Sequence, residues 1–206
     1  MTRIDKIFRI LSRDYGDRGM TELSYTNPYT LLVAVMLSAQ ATDVGVNRAT
    51  DNLFRFVKSP EEMLELGFEK LNEHIRTVNY HNSKARHIIA MSLKLVRNFN
   101  STVPNNMDDL LSLDGVGRKT ANIILNVVFG IPTVAVDTHV FRVSNRLAIV
   151  KADSVQEAEK QLLEVVPRKY LKQTNNMLVL FGRYVCRALK PKCGECVLRK
   201  YCPYTP

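Results

Sequence analysis

Four cysteines lie close together near the end of the 206-residue chain and form the pattern C-x6-C-x2-C-x5-C. Zinc sites usually show two separated close pairs of ligands, whereas each iron of a [4Fe–4S] cluster takes one thiolate. One close pair between two single cysteines therefore favours a [4Fe–4S] cluster, with zinc and metal-free or disulfide-linked thiols as the alternatives. The predicted ligands are Cys186, Cys193, Cys196 and Cys202.

A second group of chemically informative residues occupies positions 113–129, with the sequence LDGVGRKTANIILNVVF. Its two glycines predict a tight turn, and the apolar residues that follow recur at helical spacing. Residues 107–113 predict another short helix, so the pattern is helix, glycine hairpin, helix. The free backbone N–H groups at the start of such a helix can bind an anion, and we expect that anion to be a phosphate. The predicted phosphate-binding residues are Gly115, Val116, Gly117 and Arg118.

Lys119 is the candidate nucleophile, because it lies in the first turn of the predicted helix. There the positive end of the helix dipole and the neighbouring Arg118 both oppose an ammonium, which favours the neutral and nucleophilic amine. The alternative is a lysine that only pairs with phosphate. A nucleophilic lysine also needs a carboxylate to handle protons. Asp137, in the sequence VAVDTH, is our candidate for this role, and a simple helix N-cap is its alternative.

The charge of the chain points to a nucleic-acid partner. The formal net charge is +9, which favours nucleic acid or an anionic membrane, with a solvated basic surface as the alternative. Three of the basic residues, Arg187, Lys190 and Lys192, follow the first cysteine, and we expect them to contact phosphates. Gln40 and Tyr80 stand in predicted polar loops. Each is either an ordinary surface residue or a wedge that enters a base stack when a base is extruded.

The elements that must position these residues are all helices. The apolar patterns predict about ten helices with short loops and an all-α fold of one large or two small domains. Residues 133–137 predict an extended connector, because no second strand is available to pair with them. The charged N-terminus excludes a signal peptide, and the longest apolar run, residues 31–37, is too short for a membrane span. The helices that flank the candidate site are predicted at residues 84–98, 138–150, 154–166 and 175–187.

Four segments together resemble the endonuclease III family of helix-hairpin-helix DNA glycosylases. They are LSAQATD at 37–43, LDGVGRKTAN at 113–122, VDTHVFRV at 136–143 and the cysteine pattern at the end. The resemblance spans nearly the whole chain, in order. It implies two helical domains with a DNA groove between them, namely a six-helix domain over residues 21–131 and an iron–sulfur domain formed by residues 1–20 and 132–206.

The resemblance also implies a function and residue roles. The family members are bifunctional DNA glycosylases and abasic-site lyases that remove oxidised pyrimidines. Lys119 would be the nucleophile, Asp137 would activate it, and Gln40 would fill the space of the extruded base. We therefore expect a monomer that acts on damaged double-stranded DNA in the bacterial cytoplasm, at the nucleoid, without a membrane partner. The chain departs from the family at Asp114, where proline is common, and at Tyr80, where leucine is usual.

Two other functions remain open on the sequence. A monofunctional glycosylase of the same fold would release the base without cutting the strand, but such relatives lack a lysine at the position of Lys119. A non-catalytic helix-hairpin-helix module with a structural metal would bind phosphate and use Lys119 only for its charge.

Overall fold

The computed structural model describes residues 1–16 and 20–205, and this part of the chain contains helices and no strand. Ten α-helices and two short 3₁₀ helices, Cys193–Glu195 and Arg199–Tyr201, are present. The predicted all-α fold is confirmed. The α-helices are α1 (Arg3–Tyr15), α2 (Pro28–Ser38), α3 (Asp43–Phe56), α4 (Pro60–His74), α5 (His81–Asn98), α6 (Met107–Ser112), α7 (Arg118–Val127), α8 (Thr138–Arg146), α9 (Val155–Val165) and α10 (Arg168–Tyr184).

The chain divides into two compact units. The hairpin unit consists of Glu22–Phe129 and contains the six helices α2 to α7. The cysteine unit combines Met1–Thr21 with Gly130–Pro206 and contains α1 and α8 to α10. The unit boundaries thus follow residues 21 and 129, compared with residues 20 and 131 for the domains implied by the family resemblance. None of the helices in the described part of the chain is long and apolar enough to cross a bilayer.

The hairpin unit is organised around α2, which is apolar on all sides. Its residues from Tyr29 to Leu37 are all buried, and α3, α5 and α7 pack around it. Asn27 starts this helix with a capping box, as its side chain and that of Thr30 accept each other's backbone N–H groups. Ser59 starts α4 in the same way together with Glu62. These caps fix where each helix begins, and both were predictable from sequence.

The cysteine unit places the two ends of the chain on one core. Helix α10 contacts both α1 and α8, and Phe8 of α1 stacks on Tyr170 of α10 with ring centroids 5.8 Å apart. Residues 130–137 form no regular element, so the predicted extended connector is confirmed. The side chain of Arg3 donates to the carbonyl of Leu147 at 2.7 Å and to that of Tyr201 at 2.8 Å. The N-terminal helix is thereby attached to the cysteine region.

Several predicted helix boundaries were wrong. Helix α10 begins at Arg168 rather than at residue 175, because Tyr170, Leu171 and Thr174 are buried at helical spacing that the surrounding polar residues obscure. Helix α5 begins at His81 rather than at residue 84. Helix α8 ends at Arg146 rather than at residue 150, since the left-handed Ala148 (φ 45°) cannot continue it. Helix α9 agrees with its predicted range to within one residue at each end.

Candidate functional site

The glycine hairpin joins α6 to α7 and is anchored by apolar residues. Leu113 and Val116 are buried, and the N–H of Val116 donates to the carbonyl of Leu113 at 3.2 Å. Gly115, inside this turn, has a left-handed φ of 74°, which a residue with a Cβ adopts only at a cost. A Cβ at Gly115 would lie 2.7 Å from the Cβ of His87 on α5. The turn therefore needs glycine at position 115 both for its conformation and for its packing.

Gly117 has a different role, because it is the N-cap residue of α7. Its φ of −94° is ordinary, and a Cβ there would meet nothing within 4 Å. It leaves the start of α7 open to an approaching ligand, and the first N–H groups of any helix lack partners within the helix. The exposed Gly117 and Arg118 flank this opening. The predicted phosphate-binding residues are thus gathered at one helix start.

Lys119 and Asp137 lie in different units. Lys119 is exposed in the first turn of α7, in the hairpin unit. Asp137 is half-buried at the N-cap of α8, in the cysteine unit. Its Oδ1 accepts the backbone N–H groups of His139 at 2.8 Å and Val140 at 2.9 Å. The N-cap role that was the alternative interpretation of Asp137 is therefore present.

Gln40 and Tyr80 occupy two neighbouring loops, both with left-handed backbones. Their φ values are 55° and 59°, and both side chains are exposed. The amide of Asn79 donates to the carbonyl of Gln40 at 2.9 Å, which joins the two loops directly. A surface cleft lies between the loops and includes Thr42 and Val78 in its lining. The structure thus brings together two loops whose residues Gln40 and Tyr80 lie 40 positions apart in the sequence.

The four cysteines line one pocket in the cysteine unit. Its remaining lining is largely apolar and includes Leu147, Phe181, Val185 and Pro191. No three His, Cys, Asp or Glu side chains in the described part of the chain are grouped so as to hold a single metal ion. The four thiols suit a [4Fe–4S] cluster, because each iron of such a cluster takes one cysteine. Burial raises the pKa of the Cys196 thiol, and the other three cysteines act in the same direction.

Two arginines of α8 hold the loop that carries the first cysteine. The guanidinium of Arg142 donates to the carbonyls of Cys186 at 3.1 Å and Gly182 at 3.1 Å. That of Arg146 donates to the carbonyls of Arg187 at 2.7 Å and Ala188 at 3.1 Å. Neither arginine was identified from the sequence. The only available signal was their spacing of four residues on the helix that Asp137 begins.

The basic residues between the first two cysteines are all exposed. Arg187, Lys190 and Lys192 lie on the loop that connects Cys186 to the 3₁₀ helix Cys193–Glu195. The N–H of Lys192 donates to the carbonyl of Val185 at 3.0 Å, and Lys190 has a left-handed φ of 52°. The backbone of this loop is therefore defined at both ends, with its charges directed away from the core.

Comparisons with known proteins agree with these features. The family described as HhH-GPD superfamily base excision DNA repair protein matches residues 33–168. The iron–sulfur binding domain of endonuclease III matches residues 186–202, which confirms the predicted iron–sulfur cofactor. The endonuclease III proteins of Rickettsia conorii and Rickettsia prowazekii are 49% and 48% identical over 201 residues. These alignments cover 98% of this chain and 95% and 94% of the relatives.

A solved structure is similar over the same length. It is a trapped covalent intermediate of an endonuclease III with DNA, in an estranged-adenine complex. The match has a TM-score of 0.91 and 39% identity, and it covers 98% of this chain and 96% of that one.

Proposed function

Because the chain belongs to the HhH-GPD superfamily of base excision DNA repair proteins, we propose that it is a bifunctional DNA glycosylase and abasic-site lyase. Its substrates are oxidised pyrimidines in double-stranded DNA. The observation that carries this proposal is Lys119, an exposed primary amine in the first turn of α7, directly after an anchored hairpin. When the hairpin N–H groups bind a backbone phosphate, they fix the distance between Lys119 and the adjoining sugar.

The proposed reaction begins with attack of the Lys119 amine on C1′ of the damaged nucleotide. The C1′–N bond breaks, the base leaves, and the ring-opened sugar is joined to Lys119 as an imine. The protonated imine makes the C2′ proton acidic, and loss of that proton expels the 3′ phosphate and cuts the strand. Asp137 would accept the amine proton before attack. The nucleophile has to be an amine, because a water-activating enzyme stops at the abasic site.

Gln40 and Tyr80 would occupy the duplex at the position from which the damaged nucleotide is extruded. Extruding a base costs a few kcal/mol of lost stacking and pairing, which inserted side chains partly recover. An aromatic ring at position 80 also stacks on a base rather than only filling the gap. The exposed Arg187, Lys190 and Lys192 would contact phosphates, and such contacts predict an affinity that falls with salt.

The cysteines Cys186, Cys193, Cys196 and Cys202 would hold the [4Fe–4S] cluster. When bound, the cluster ties the two short 3₁₀ helices and the loop after α10 into one rigid segment. In this proposal the enzyme acts as a monomer in the bacterial cytoplasm, at the nucleoid where its DNA substrate lies.

Borohydride trapping tests the proposal. The protein is incubated with duplexes that contain thymine glycol or an abasic site, and borohydride reduces any imine to a stable protein–DNA adduct. We expect an adduct with the wild type and none with Lys119→Gln. Lys160→Gln is the matched control, because it removes the same charge from an exposed lysine of the other unit.

The alternatives give other results. Release of the base without an adduct would indicate a monofunctional glycosylase. DNA binding without base release would indicate a non-catalytic module. A wild type that forms no adduct on either duplex refutes the proposed function.

A further inference from the structure

The end of α2 is held by a lysine from another helix. The chain leaves α2 through Ser38-Ala39-Gln40, without the glycine that commonly ends a helix. Lys84, in the first turn of α5, is buried, and its ammonium donates to the carbonyls of Leu37 at 2.7 Å and Ala39 at 2.6 Å. A cation at this position also faces the negative end of the helix dipole. Lys84 therefore caps α2 from outside.

Burying an ammonium at the end of α2 carries a high desolvation cost for a contact that only stabilises the fold. Burial lowers the pKa of Lys84 from the ordinary lysine value of 10.5, because the ammonium loses hydration. Its two acceptors are carbonyl groups, which carry no full charge to compensate. An apolar side chain in the same space would avoid the loss of hydration. The placement of a charge here points to a need for defined loop geometry rather than for added stability.

The segment 79–84 makes two further hydrogen bonds, one to each of the two loops. The backbone N–H of Lys84 donates to the carbonyl of Tyr80 at 3.0 Å, and the side chain of Asn79 donates to the carbonyl of Gln40 at 2.9 Å. The carbonyls of positions 37, 39 and 40 are thus all bound by residues of one segment, 79–84. Lys84 contacts both loops, the first through its ammonium and the second through the backbone N–H that makes the first helical hydrogen bond of α5.

Both loop tips are strained. Gln40 and Tyr80 have positive φ values, and a left-handed conformation of a non-glycine residue persists only where surrounding contacts enforce it. Tyr80 is 67% exposed, so its ring has little packing of its own to fix its direction. Contacts of Lys84 and Asn79 flank these strained residues, together with the turn that the N–H of Ala41 closes on the carbonyl of Ser38 at 3.0 Å.

We propose that Lys84 is a positioning residue for lesion recognition. Its ammonium joins the Gln40 loop to the start of α5, so that the side chains of Gln40 and Tyr80 enter the duplex as one preorganised unit. This inference rests on the proposed function, since it assumes that both side chains insert beside an extruded nucleotide. Lys84 does not touch the DNA in this scheme. It lowers the conformational cost of insertion, and preorganisation of this kind raises affinity for the lesion specifically.

The test compares Lys84→Met with Tyr29→Phe. Both variants remove buried hydrogen bonds between α2 and α5, because the hydroxyl of Tyr29 lies 2.6 Å from that of Ser92. Only Lys84→Met loosens the Gln40 loop. The measured quantity is the ratio of the Kd for undamaged duplex to the Kd for a duplex with a tetrahydrofuran abasic analogue. We expect Lys84→Met to lower this ratio about tenfold, and Tyr29→Phe to change it by less than about twofold.

A double-variant cycle shows whether Lys84 acts through Gln40. Gln40→Ala should lower the ratio by itself, and adding Lys84→Met should lower it no further. Lys84→Arg keeps the charge and the donors, so it should recover part of the ratio. Should Lys84→Met fail to fold, Asn79→Ala removes an exposed contact to the same loop and should lower the ratio about threefold.

The two proposals can fail separately. If Lys84→Met and Tyr29→Phe give the same ratio, or if the Lys84 and Gln40 effects simply add, the positioning role is overturned even though the wild type forms an adduct. If the wild type forms no borohydride adduct, the proposed function fails first.

Discussion

Replacing Gly115 by alanine is the most direct test of how the hairpin is built. The substitution adds a single methyl group to the turn between α6 and α7. That methyl would lie 2.7 Å from the Cβ of His87 and 3.0 Å from the terminal methyl of Met36. The Met36 end is flexible and can move, whereas the His87 Cβ is fixed to the backbone of α5. The turn must therefore shift away from α5 or change its backbone conformation.

The expected cost has three parts. A left-handed backbone with a Cβ costs about 1–2 kcal/mol, and overpacking against a fixed neighbour costs about 1–3 kcal/mol. Alanine also restricts the unfolded chain, which returns about 0.4–1 kcal/mol. The net loss is about 1–4.5 kcal/mol, which is below the typical total stability of a domain. Gly115→Ala should therefore fold, with a loosened hairpin.

Alanine substitutions at two other glycines, Gly67 and Gly117, separate the conformational cost from the packing cost. Gly67, at the kink of α4, has a φ of 78° but open space around its missing Cβ, so Gly67→Ala carries only the conformational cost. Gly117→Ala carries neither that cost nor a clash, and it should lose at most about 1 kcal/mol through its N-cap position. The order of destabilisation should be Gly115, then Gly67, then Gly117.

Hydrogen exchange of peptides from residues 107–129 measures the effect locally. A loss of about 1–4.5 kcal/mol corresponds to about 5- to 2,000-fold faster exchange where exchange follows the opening equilibrium. Borohydride trapping should slow in Gly115→Ala and stay near wild type in Gly67→Ala, because only the former displaces the start of α7. Exchange in Gly115→Ala no faster than in Gly117→Ala would refute the packing argument.

Three further predictions concern the cysteine unit. Asp137→Asn should change the free energy of unfolding by no more than about 0.5 kcal/mol, since both residues cap helices equally well. Adduct formation should nevertheless slow about 100-fold or more. An unchanged trapping rate would show that Asp137 serves only as a helix cap. Cys196→Ser should abolish the visible absorbance of the iron–sulfur cluster, and a colourless wild type that contains zinc would contradict the cluster assignment. Arg142→Met should speed the loss of that absorbance in a chelator, compared with the exposed control Arg168→Met, because the carbonyl of Cys186 loses its donors.

Much of the fold was predictable because the deciding interactions are local. Asn27-Pro28 and Ser59-Pro60 mark helix starts through contacts within three residues, so short sequence windows contain the whole signal. The hairpin was predictable for the same reason, since two glycines and an apolar repeat define it. The start of α10 was missed because its burial depends on α1, and Phe8 lies far from Tyr170 in the sequence.

The contacts that position the candidate site were not predictable in this way. Lys84 binds carbonyls 45 and 47 positions away, and Arg142 binds one 44 positions away. Backbone carbonyls have no residue identity, so no sequence pattern marks them as acceptors. The sequence indicates which side chains carry out the chemistry, and the tertiary structure is needed to show which side chains hold them.

Helix α8 suggests why an iron–sulfur cluster belongs in an enzyme whose proposed chemistry transfers no electrons. Asp137 caps the first turn of this nine-residue helix, and Arg142 and Arg146 bind the cysteine loop from its later turns. A helix this short moves as a rigid body, so a displaced cysteine loop also displaces the carboxylate. Loss of iron should therefore slow adduct formation although Lys119 is chemically intact. Hydrogen exchange in residues 138–146 should rise in parallel, and unchanged exchange there after loss of iron would refute this geometric link.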